Sequence, residues 1–377
     1  MRRLFEFTVA AIAFLSLASV GLADGESALR TKVDALAQPI VDRGLSVGLV
    51  VGLIDGAHSY VFAYGKLSAG QNQPPDGDTL FEIGSVTKVF TGLLLADMVQ
   101  RRRVQLDDPV QALLPDSVKV PQRDGRAITL LDLATHTSGL PRVPNNLHFL
   151  YLSLFKNPSN PYADYRVEHL YEFLSKHTLA RKPGDAYAYS NLGMGLLGHA
   201  LACRENAGYE DLLVQRICLP LKMNDTRIHL SADQQRRLAP GHDSSGKTVC
   251  NWDLPTLAGA GALRSTANDM LRFLSANLGL GENPLAETVE ASHVPRHEID
   301  KPGDHIALGW HIRSKEDIYW HNGQTGGYHA YVAFQKTRKV GVVALSNSAQ
   351  GIVDELGVKL MAILAGEPNV PLKTNGD

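Results

Sequence analysis

The chain has 377 residues, enough for one large domain or two closely joined domains, and 44% of them are hydrophobic, as a packed globular protein requires. Its 37 basic and 39 acidic side chains leave a formal charge of -2, which argues against a nucleic-acid partner or a polybasic membrane anchor. Cys203, Cys218 and Cys250 lack CxxC or Cys-His spacing, so we predict no structural zinc site. Because their number is odd, at least one thiol is free and at most one disulfide can form.

The N-terminus is typical of a secretory signal peptide. Residues 1–3, Met-Arg-Arg, precede a mostly apolar run over residues 4–22, and a small-x-small pattern ends at Ala23. We predict cleavage near Ala23 and secretion to the periplasm. An uncleaved membrane anchor is the alternative, but Glu6 interrupts the run and no basic cluster follows it. After cleavage, no stretch approaches the ~20 apolar residues that a membrane span needs.

The predicted elements pass from strands to helices and back to strands. A helix over residues 26–41 is followed by two strands, 45–54 and 59–64, joined at Asp55-Gly56, a hairpin signal. Long helical runs then dominate residues 81–291, for example 86–101 and 267–278. Strand patterns return at 307–312, 318–321, 329–335 and 340–346, before a helix at 351–364. We therefore predict an α/β (α+β) fold, with a discontinuous sheet domain (24–80 and 292–377) and an inserted, mainly helical domain (81–291).

Three SxxK tetrapeptides occur, beginning at Ser85, Ser153 and Ser244. Only Ser85 is placed to open a helix, where an unpaired backbone N–H and the helix dipole favour developing negative charge. Lys88 lies on the same helix face one turn later, and burial there would favour its neutral, proton-accepting form. For an isolated SxxK, the alternative is an N-capping serine beside a solvated lysine.

Two further motifs carry polar side chains suited to acyl transfer. Tyr189 can share a proton with a nucleophile, and Asn191 can both donate to and accept from a substrate amide, although Tyr189-Ser190-Asn191 alone also fits a helix entry. His321-Asn322-Gly323 ends a predicted strand, and glycine permits close approach of a ligand to the backbone. A lone histidine on a strand is more often structural.

In their order along the chain, these three motifs resemble those of serine β-lactamases and penicillin-binding proteins. That family uses SxxK, then a Ser or Tyr followed two residues later by Asn, then Lys-Thr-Gly on a strand. Residues 131–141 (LDLATHTSGLP) and 325–334 (TGGYHAYVAF) are similar to segments of the class C branch. The resemblance spans residues 45–365 and implies a β-lactamase/transpeptidase-like fold, with antiparallel strands flanked by terminal helices.

The resemblance also implies roles for individual residues. Ser85 would be the nucleophile, with Lys88 and Tyr189 sharing general base and acid duties. The acyl amide would be oriented by Asn191, and backbone N–H groups of Ser85 and Gln324 would form the oxyanion hole. His321, Gly323 and Asn347 correspond to further substrate-binding positions, and the resemblance implies no cofactor or metal.

Two departures from the family pattern bear on the choice of substrate. His321 and Asn322 replace Lys and Thr of Lys-Thr-Gly, which removes a permanent cation and a hydroxyl that help to hold a substrate carboxylate. A protonated His321, or Arg142, could supply the lost positive charge. We expect hydrolysis of a small-molecule β-lactam or a peptidoglycan-type D-alanyl peptide. The alternatives are a carboxylesterase of the same family and a penicillin-binding sensor without turnover.

Overall fold

The structure, a computed structural model, describes residues 25–68, 70, 72–147, 160–299 and 301–367. The predicted signal peptide, residues 1–23, and the tetrapeptide beginning at Ser153 lie outside these ranges. No helix within them is both long and apolar enough to cross a membrane.

Most of the secondary structure lies in long central strands and in the helices that cover them. In chain order the strands are β1 (Gly48–Asp55), β2 (His58–Gly65), β3 (Phe81–Glu82), β4 (Gln122–Arg123), β5 (Arg126–Ala127), β6 (Gly241–His242), β7 (Thr248–Val249), β8 (Arg264–Ser265), β9 (His297–Glu298), β10 (Asp304–Ile306), β11 (His311–Arg313), β12 (Ile318–Gln324), β13 (His329–Gln335) and β14 (Val340–Ser346). The α-helices are α1 (25–42), α2 (Thr87–Gln100), α3 (Leu130–Ala134), α4 (Val167–Lys176), α5 (Asn191–Glu205), α6 (Tyr209–Leu213), α7 (Ala232–Arg237), α8 (Ala267–Asn277), α9 (Ala286–Ser292) and α10 (Ile352–Leu364).

Shorter helical segments complete the chain path. Segments of 3-10 helix occupy Gly84–Val86, Val110–Leu113, Asn145–Leu147 and Ala258–Ala260, and a π-helical turn occupies Val214–Cys218.

Strands from both ends of the chain form one antiparallel sheet. Its order is β2-β1-β14-β13-β12-β11-β10-β9, and each neighbouring pair is antiparallel. The C-terminal strand β14 therefore lies between β1 and β13, which joins the two ends of the chain. This arrangement confirms the predicted fold class of an antiparallel sheet flanked by terminal helices.

The two faces of the sheet are buried against different partners. In β1, Val50 and Ile54 belong to the core shared with the helical region, whereas Leu49, Val51 and Leu53 belong to the core beneath α1 and α10. This alternation follows from the two-residue period of a strand. Because both faces are buried, the central strands read as continuous apolar runs rather than as alternating patterns.

The predicted strand at 307–312 is wrong in its bounds. Residues 307–310 form a turn between β10 and β11, and Gly309 has φ +81°. A Cβ atom at Gly309 would lie 2.6 Å from the carbonyl oxygen of Lys88, so the turn packs directly on the start of α2. Ala307, Leu308 and Trp310 are fully buried or nearly so. Their apolar pattern therefore reflects the burial of a turn and not a strand.

The proposed division into two domains stays a prediction. Residues 81–291 contain helices α2 to α8 and all of α9 except its last residue, Ser292. The strands within this range are each two residues long. One core nevertheless runs from the helical region into the face of the sheet. The site described next lies along this contact.

Candidate active site

Ser85 lies in a tight turn held between a strand and a helix. The turn Gly84–Val86 follows β3, which pairs with β8, and leads directly into α2. Gly84 has φ +48°, a conformation that favours glycine. Ser85 therefore lies at the start of the helix, as the sequence predicted. Its side chain is partly exposed.

Lys88 lies beside Ser85 and is fully buried. Its Nζ is 2.8 Å from Ser85 Oγ and 2.6 Å from the carbonyl oxygen of Ala260. Burial holds the pKa of this amine well below its usual range, and the nearby Arg142 cation lowers it further. A neutral amine can donate to Ala260 and still offer a lone pair to the Ser85 hydroxyl.

A loop that includes residues 136–142 positions the Tyr189 segment. The carbonyl of His136 accepts from the Ala188 amide at 2.8 Å, and its Nδ1 accepts from the Ser190 amide at 3.2 Å. Ser190 Oγ donates to the Pro141 carbonyl at 2.7 Å and accepts from the Gly193 amide at 2.8 Å. Ser190 is therefore the N-cap of α5, while Tyr189 precedes that helix and projects toward Ser85.

The Tyr189 ring lies among cationic and imidazole groups. Lys88 Nζ and Arg142 Cζ each lie 4.9 Å from the ring centroid, and the His136 ring lies 4.5 Å away. Burial raises the pKa of the Tyr189 phenol to about 12, while interactions with Ser85 and Arg142 oppose that rise. The phenol is therefore protonated at neutral pH.

Asn191 begins α5 with its side chain at the pocket wall. Its backbone amide donates to the carbonyl of Arg142 at 2.9 Å. The Asn191 side chain forms a hydrogen bond with Tyr162 that lowers the pKa of that phenol against the effect of burial. The Oδ1 atom is buried and has no hydrogen-bond partner among the described residues, which leaves it able to accept from a ligand.

The end of β12 packs against the Ser85 turn. β11 pairs with β12 only as far as Trp320, so residues 321–324 have no strand on that side. A Cβ atom at Gly323 would lie 2.0 Å from the Ile83 carbonyl oxygen and 2.7 Å from the Ser85 amide nitrogen. Only glycine permits this approach, and it brings the backbone of Gln324 beside the turn that holds Ser85.

His321 is fully buried and does not line the pocket. Its Nδ1 lies 2.6 Å from the Asn322 carbonyl oxygen, and because a carbonyl only accepts, Nδ1 carries the proton. Nε2 therefore bears a lone pair, and it is unpaired among the described residues. Burial, His311 and Lys88 hold the pKa of His321 well below 6.5. A buried neutral imidazole of this kind offers no positive charge to a carboxylate.

The structure does not bring Asn347 to the pocket. Its side chain is fully buried, accepts from the Gly48 amide at 2.7 Å and donates to the carbonyls of Leu67 and Pro240. With both ends of its amide occupied, Asn347 joins β1 to two loops.

An open pocket of about 690 Å³ lies at the contact between the sheet and the helical region. Ser85, Tyr189, Asn191, Gly323 and Gln324 line it, whereas Lys88 is buried behind Ser85 and does not. The pocket is lined by Ser85, Arg142, Val143, Tyr162, Tyr189, Asn191, Trp252, His311, Trp320, Asn322, Gly323, Gln324, Thr325, His329, Gly351 and Asp354. Sequence reasoning missed several of these residues, above all His311, His329 and Asp354. No motif contains His311 or Asp354: His311 lies in β11, the strand before the one that carries His321, and Asp354 lies in α10.

Ser244-x-x-Lys247 lies in the exposed turn between β6 and β7, far from a helix start. Cys203, Cys218 and Cys250 are all free thiols. In the described part of the chain, no three His, Cys, Asp or Glu side chains are grouped so that they could hold a metal ion.

Comparisons with known proteins indicate the same family as the three motifs. The family model described as Beta-lactamase matches residues 33–365. The D-alanyl-D-alanine-carboxypeptidase/endopeptidase AmpH of Escherichia coli (strain K12) is 32% identical over 325 residues, covering 82% of this chain and 81% of that protein. A Beta-lactamase of Pseudomonas fluorescens is 27% identical, covering 85% and 93%.

Solved structures give the same result. The Beta-lactamase/D-alanine Carboxypeptidase from Yersinia pestis, complexed with citrate, superposes with a TM-score of 0.74 at 27% identity, covering 89% of this chain and 98% of that one. The D-alanine Carboxypeptidase AmpC from Burkholderia cenocepacia gives 0.75 at 26% identity, covering 90% and 99%. The resemblance predicted from the three motifs is confirmed, and this chain belongs to the β-lactamase family.

Proposed function

We propose that this protein is a secreted serine hydrolase that cleaves a β-lactam or a D-alanyl amide bond through an acyl-enzyme on Ser85. The observation that carries the proposal is the 2.8 Å approach of Ser85 Oγ to the fully buried Nζ of Lys88. The relatives named as β-lactamases and D-alanyl-D-alanine carboxypeptidases support this substrate class. The signal-like N-terminus supports a periplasmic location.

In the acylation step, neutral Lys88 accepts the proton of Ser85 as Oγ attacks the substrate carbonyl carbon. The lowered pKa of Lys88 favours its neutral form, in which the amine can act as the base. The carbonyl oxygen gains the negative charge, which the backbone N–H groups of Ser85 and Gln324 would stabilise in this scheme.

Collapse of the tetrahedral intermediate requires a proton on the leaving nitrogen. Tyr189 is protonated at neutral pH because burial raises its pKa to about 12. Tyr189 donates its proton as the carbon–nitrogen bond breaks and recovers one from the Lys88 ammonium. Water then attacks the Ser85 ester with the same two groups accepting and returning the proton.

Asn191 positions the acyl group in this scheme. Its unpaired Oδ1 can accept the N–H of a substrate amide, which fixes the carbonyl carbon over Ser85. The environment of this side chain suits an acylamino substrate better than a plain ester.

A carboxylesterase is the second candidate, and His321 is the observation that favours it. The imidazole is buried, neutral and presents a lone pair, so it does not replace the lysine that holds a substrate carboxylate. An ester substrate without a carboxylate needs no such anchor.

Four assays on the purified protein separate the possibilities. Nitrocefin turnover supports a β-lactamase, release of D-alanine from a D-alanyl-D-alanine peptide supports a peptidase, and p-nitrophenyl ester cleavage without either supports an esterase. Stable labelling by a fluorescent penicillin without turnover indicates a sensor. If Ser85→Ala retains any activity seen in the wild type, the acyl-enzyme proposal is overturned.

A further inference from the structure

The pocket carries opposite charges at two places. Arg142 lies over the Tyr189 ring next to Asn191, on the helical side. Asp354, from the first turn of α10, lines the pocket on the side of the sheet, near β12 and β13. The mechanism proposed above uses neither charge.

Asp354 is directed into the pocket wall by two hydrogen bonds. Its Oδ2 accepts from Asn322 Nδ2 at 2.7 Å, and its Oδ1 lies 2.7 Å from His329 Nε2. Asn322 is adjacent to Gly323, which contacts the Ser85 turn. The Asp354 side chain is nevertheless 37% exposed, so its charge can act on a ligand in the pocket.

No permanent cation offsets this negative charge at close range. In the described ranges, no lysine or arginine lies within ion-pair distance of Asp354, and Arg313 in β11 lies over the Trp320 ring instead. The Nε2 of His329 donates to Oδ1 and would offset the carboxylate charge only if the imidazole were protonated. Asn322, the other partner of Asp354, is a neutral donor.

A role limited to helix capping does not explain these contacts. Glu355, the next residue, also lies in the first turn of α10, and it pairs with Lys359 at 3.2 Å on the same helix. Asp354 instead bonds across to two strands and reaches the pocket. The fixed orientation of its carboxylate suits recognition of a donor or cation.

We propose that Asp354 is a specificity-determining residue of the Ser85 site, which favours substrates that place a cationic group beside Asn322 and disfavours those that place a carboxylate there. A substrate carboxylate would be repelled at this end of the pocket and would instead face Arg142. The inference rests on the proposed acyl transfer at Ser85. The substrate class is thus an acyl compound bearing an ammonium group, with or without a carboxylate directed to the helical side.

Two pairs of esters that differ only in charge test the proposal on either side of the scissile bond. Butyrylcholine is compared with 3,3-dimethylbutyl butyrate, and p-nitrophenyl 4-(trimethylammonio)butyrate with p-nitrophenyl 5,5-dimethylhexanoate. The kcat/KM ratio of cationic to neutral ester is measured at low salt and pH 8.5, where an ordinary histidine is neutral. We expect the wild type to favour the cation about fivefold in at least one pair, the scale of one partly exposed charge pair.

Asp354→Asn should bring that ratio to within about twofold of unity, because the amide keeps the side-chain size and loses the charge. Glu355→Gln is the matched control, since it removes the same charge from the neighbouring residue, and it should keep the wild-type ratio. No cation preference in either pair, or a preference that survives Asp354→Asn, overturns the inference. Failure of the wild type to cleave even the neutral esters in a Ser85-dependent way would count against the proposed function instead.

Discussion

The two sides of the Ser85 pocket differ in how closely they follow the family pattern. On the helical side, Ser85, Lys88 and Tyr189 stand in the expected order and lie together, with Lys88 Nζ 2.8 Å from Ser85 Oγ. On the sheet side, a buried neutral His321 stands where the family has lysine, and Asp354 adds a negative charge.

The two sides of the pocket therefore carry different information, one about the type of reaction and the other about the substrate. Activation of a serine requires a particular set of groups at hydrogen-bond distance, so the helical side indicates the type of chemistry. Recognition of the rest of the substrate depends on the charge and shape of the sheet side. Family membership therefore specifies acyl transfer here more firmly than it specifies what is transferred.

The largest expected effect concerns the helical side. Lys88→Ala and Tyr189→Phe should each lower acylation by about 100-fold or more, the scale of general acid–base catalysis. Since both groups serve one proton relay, the double variant should lose little beyond the worse single variant. Stopped-flow rates of acylation across the four proteins provide the measurement. Losses that multiply would show that the two residues act independently.

A substitution at the contact between β12 and the Ser85 turn should lower acylation nearly as much. Gly323→Ala places a Cβ atom 2.0 Å from the Ile83 carbonyl oxygen, so β12 must move away from the Ser85 turn. We expect a loss of about 1–3 kcal/mol in the free energy of unfolding, with at least a tenfold fall in acylation. Thermal unfolding and acylation rates give both values. Gly25→Ala, where a Cβ atom meets nothing within 4 Å, is the control; an equally active Gly323→Ala would contradict the packing described.

The smallest expected effect concerns the sheet side, where substrate preference should not change with pH. A lowered pKa keeps His321 neutral as pH falls from 8.5 through 6.5, so its imidazole supplies no new cation to attract a carboxylate. The kcat/KM ratio of a cephalosporin to a neutral p-nitrophenyl ester should therefore stay constant over pH 8.5–6. Both individual rates should fall together at lower pH as Lys88 becomes protonated. A ratio that rises as pH falls through 6.5 would restore His321 as an anion anchor.

Much of the fold could be predicted from the local pattern of apolar residues, and the exceptions are segments whose structure depends on contacts distant along the chain. The strands at 329–335 and 340–346 have the predicted bounds, because long apolar runs between turns have few alternatives. The strand predicted to end at 321 continues to Gln324, since its last residues pack on the Ser85 turn. Neither this contact nor the buried turn at 307–310 leaves a local periodic signal.

The site divides in the same way. Motif spacing was enough to identify Ser85, Lys88 and Tyr189 as candidates. The SxxK motif places Ser85 and Lys88 one helix turn apart, and Tyr189 begins the second motif. The burial of His321 depends on its packing against His311 and Tyr189, and the direction of Asp354 depends on how α10 meets β12 and β13. No short motif encodes either arrangement. The role of Asn347 in substrate binding stays a prediction, and its side chain is occupied by hydrogen bonds to three backbone groups.

The most direct test of the acyl-enzyme is the identity of the acylated residue. The protein is mixed with a penicillin or a p-nitrophenyl ester, quenched in acid within one turnover and digested, and the modified peptide is sequenced by mass spectrometry. We predict one acyl group on Ser85, none in Ser85→Ala, and normal labelling in Ser244→Ala, which alters the exposed SxxK match. An acyl group on any other residue, or full labelling of Ser85→Ala, would contradict the account.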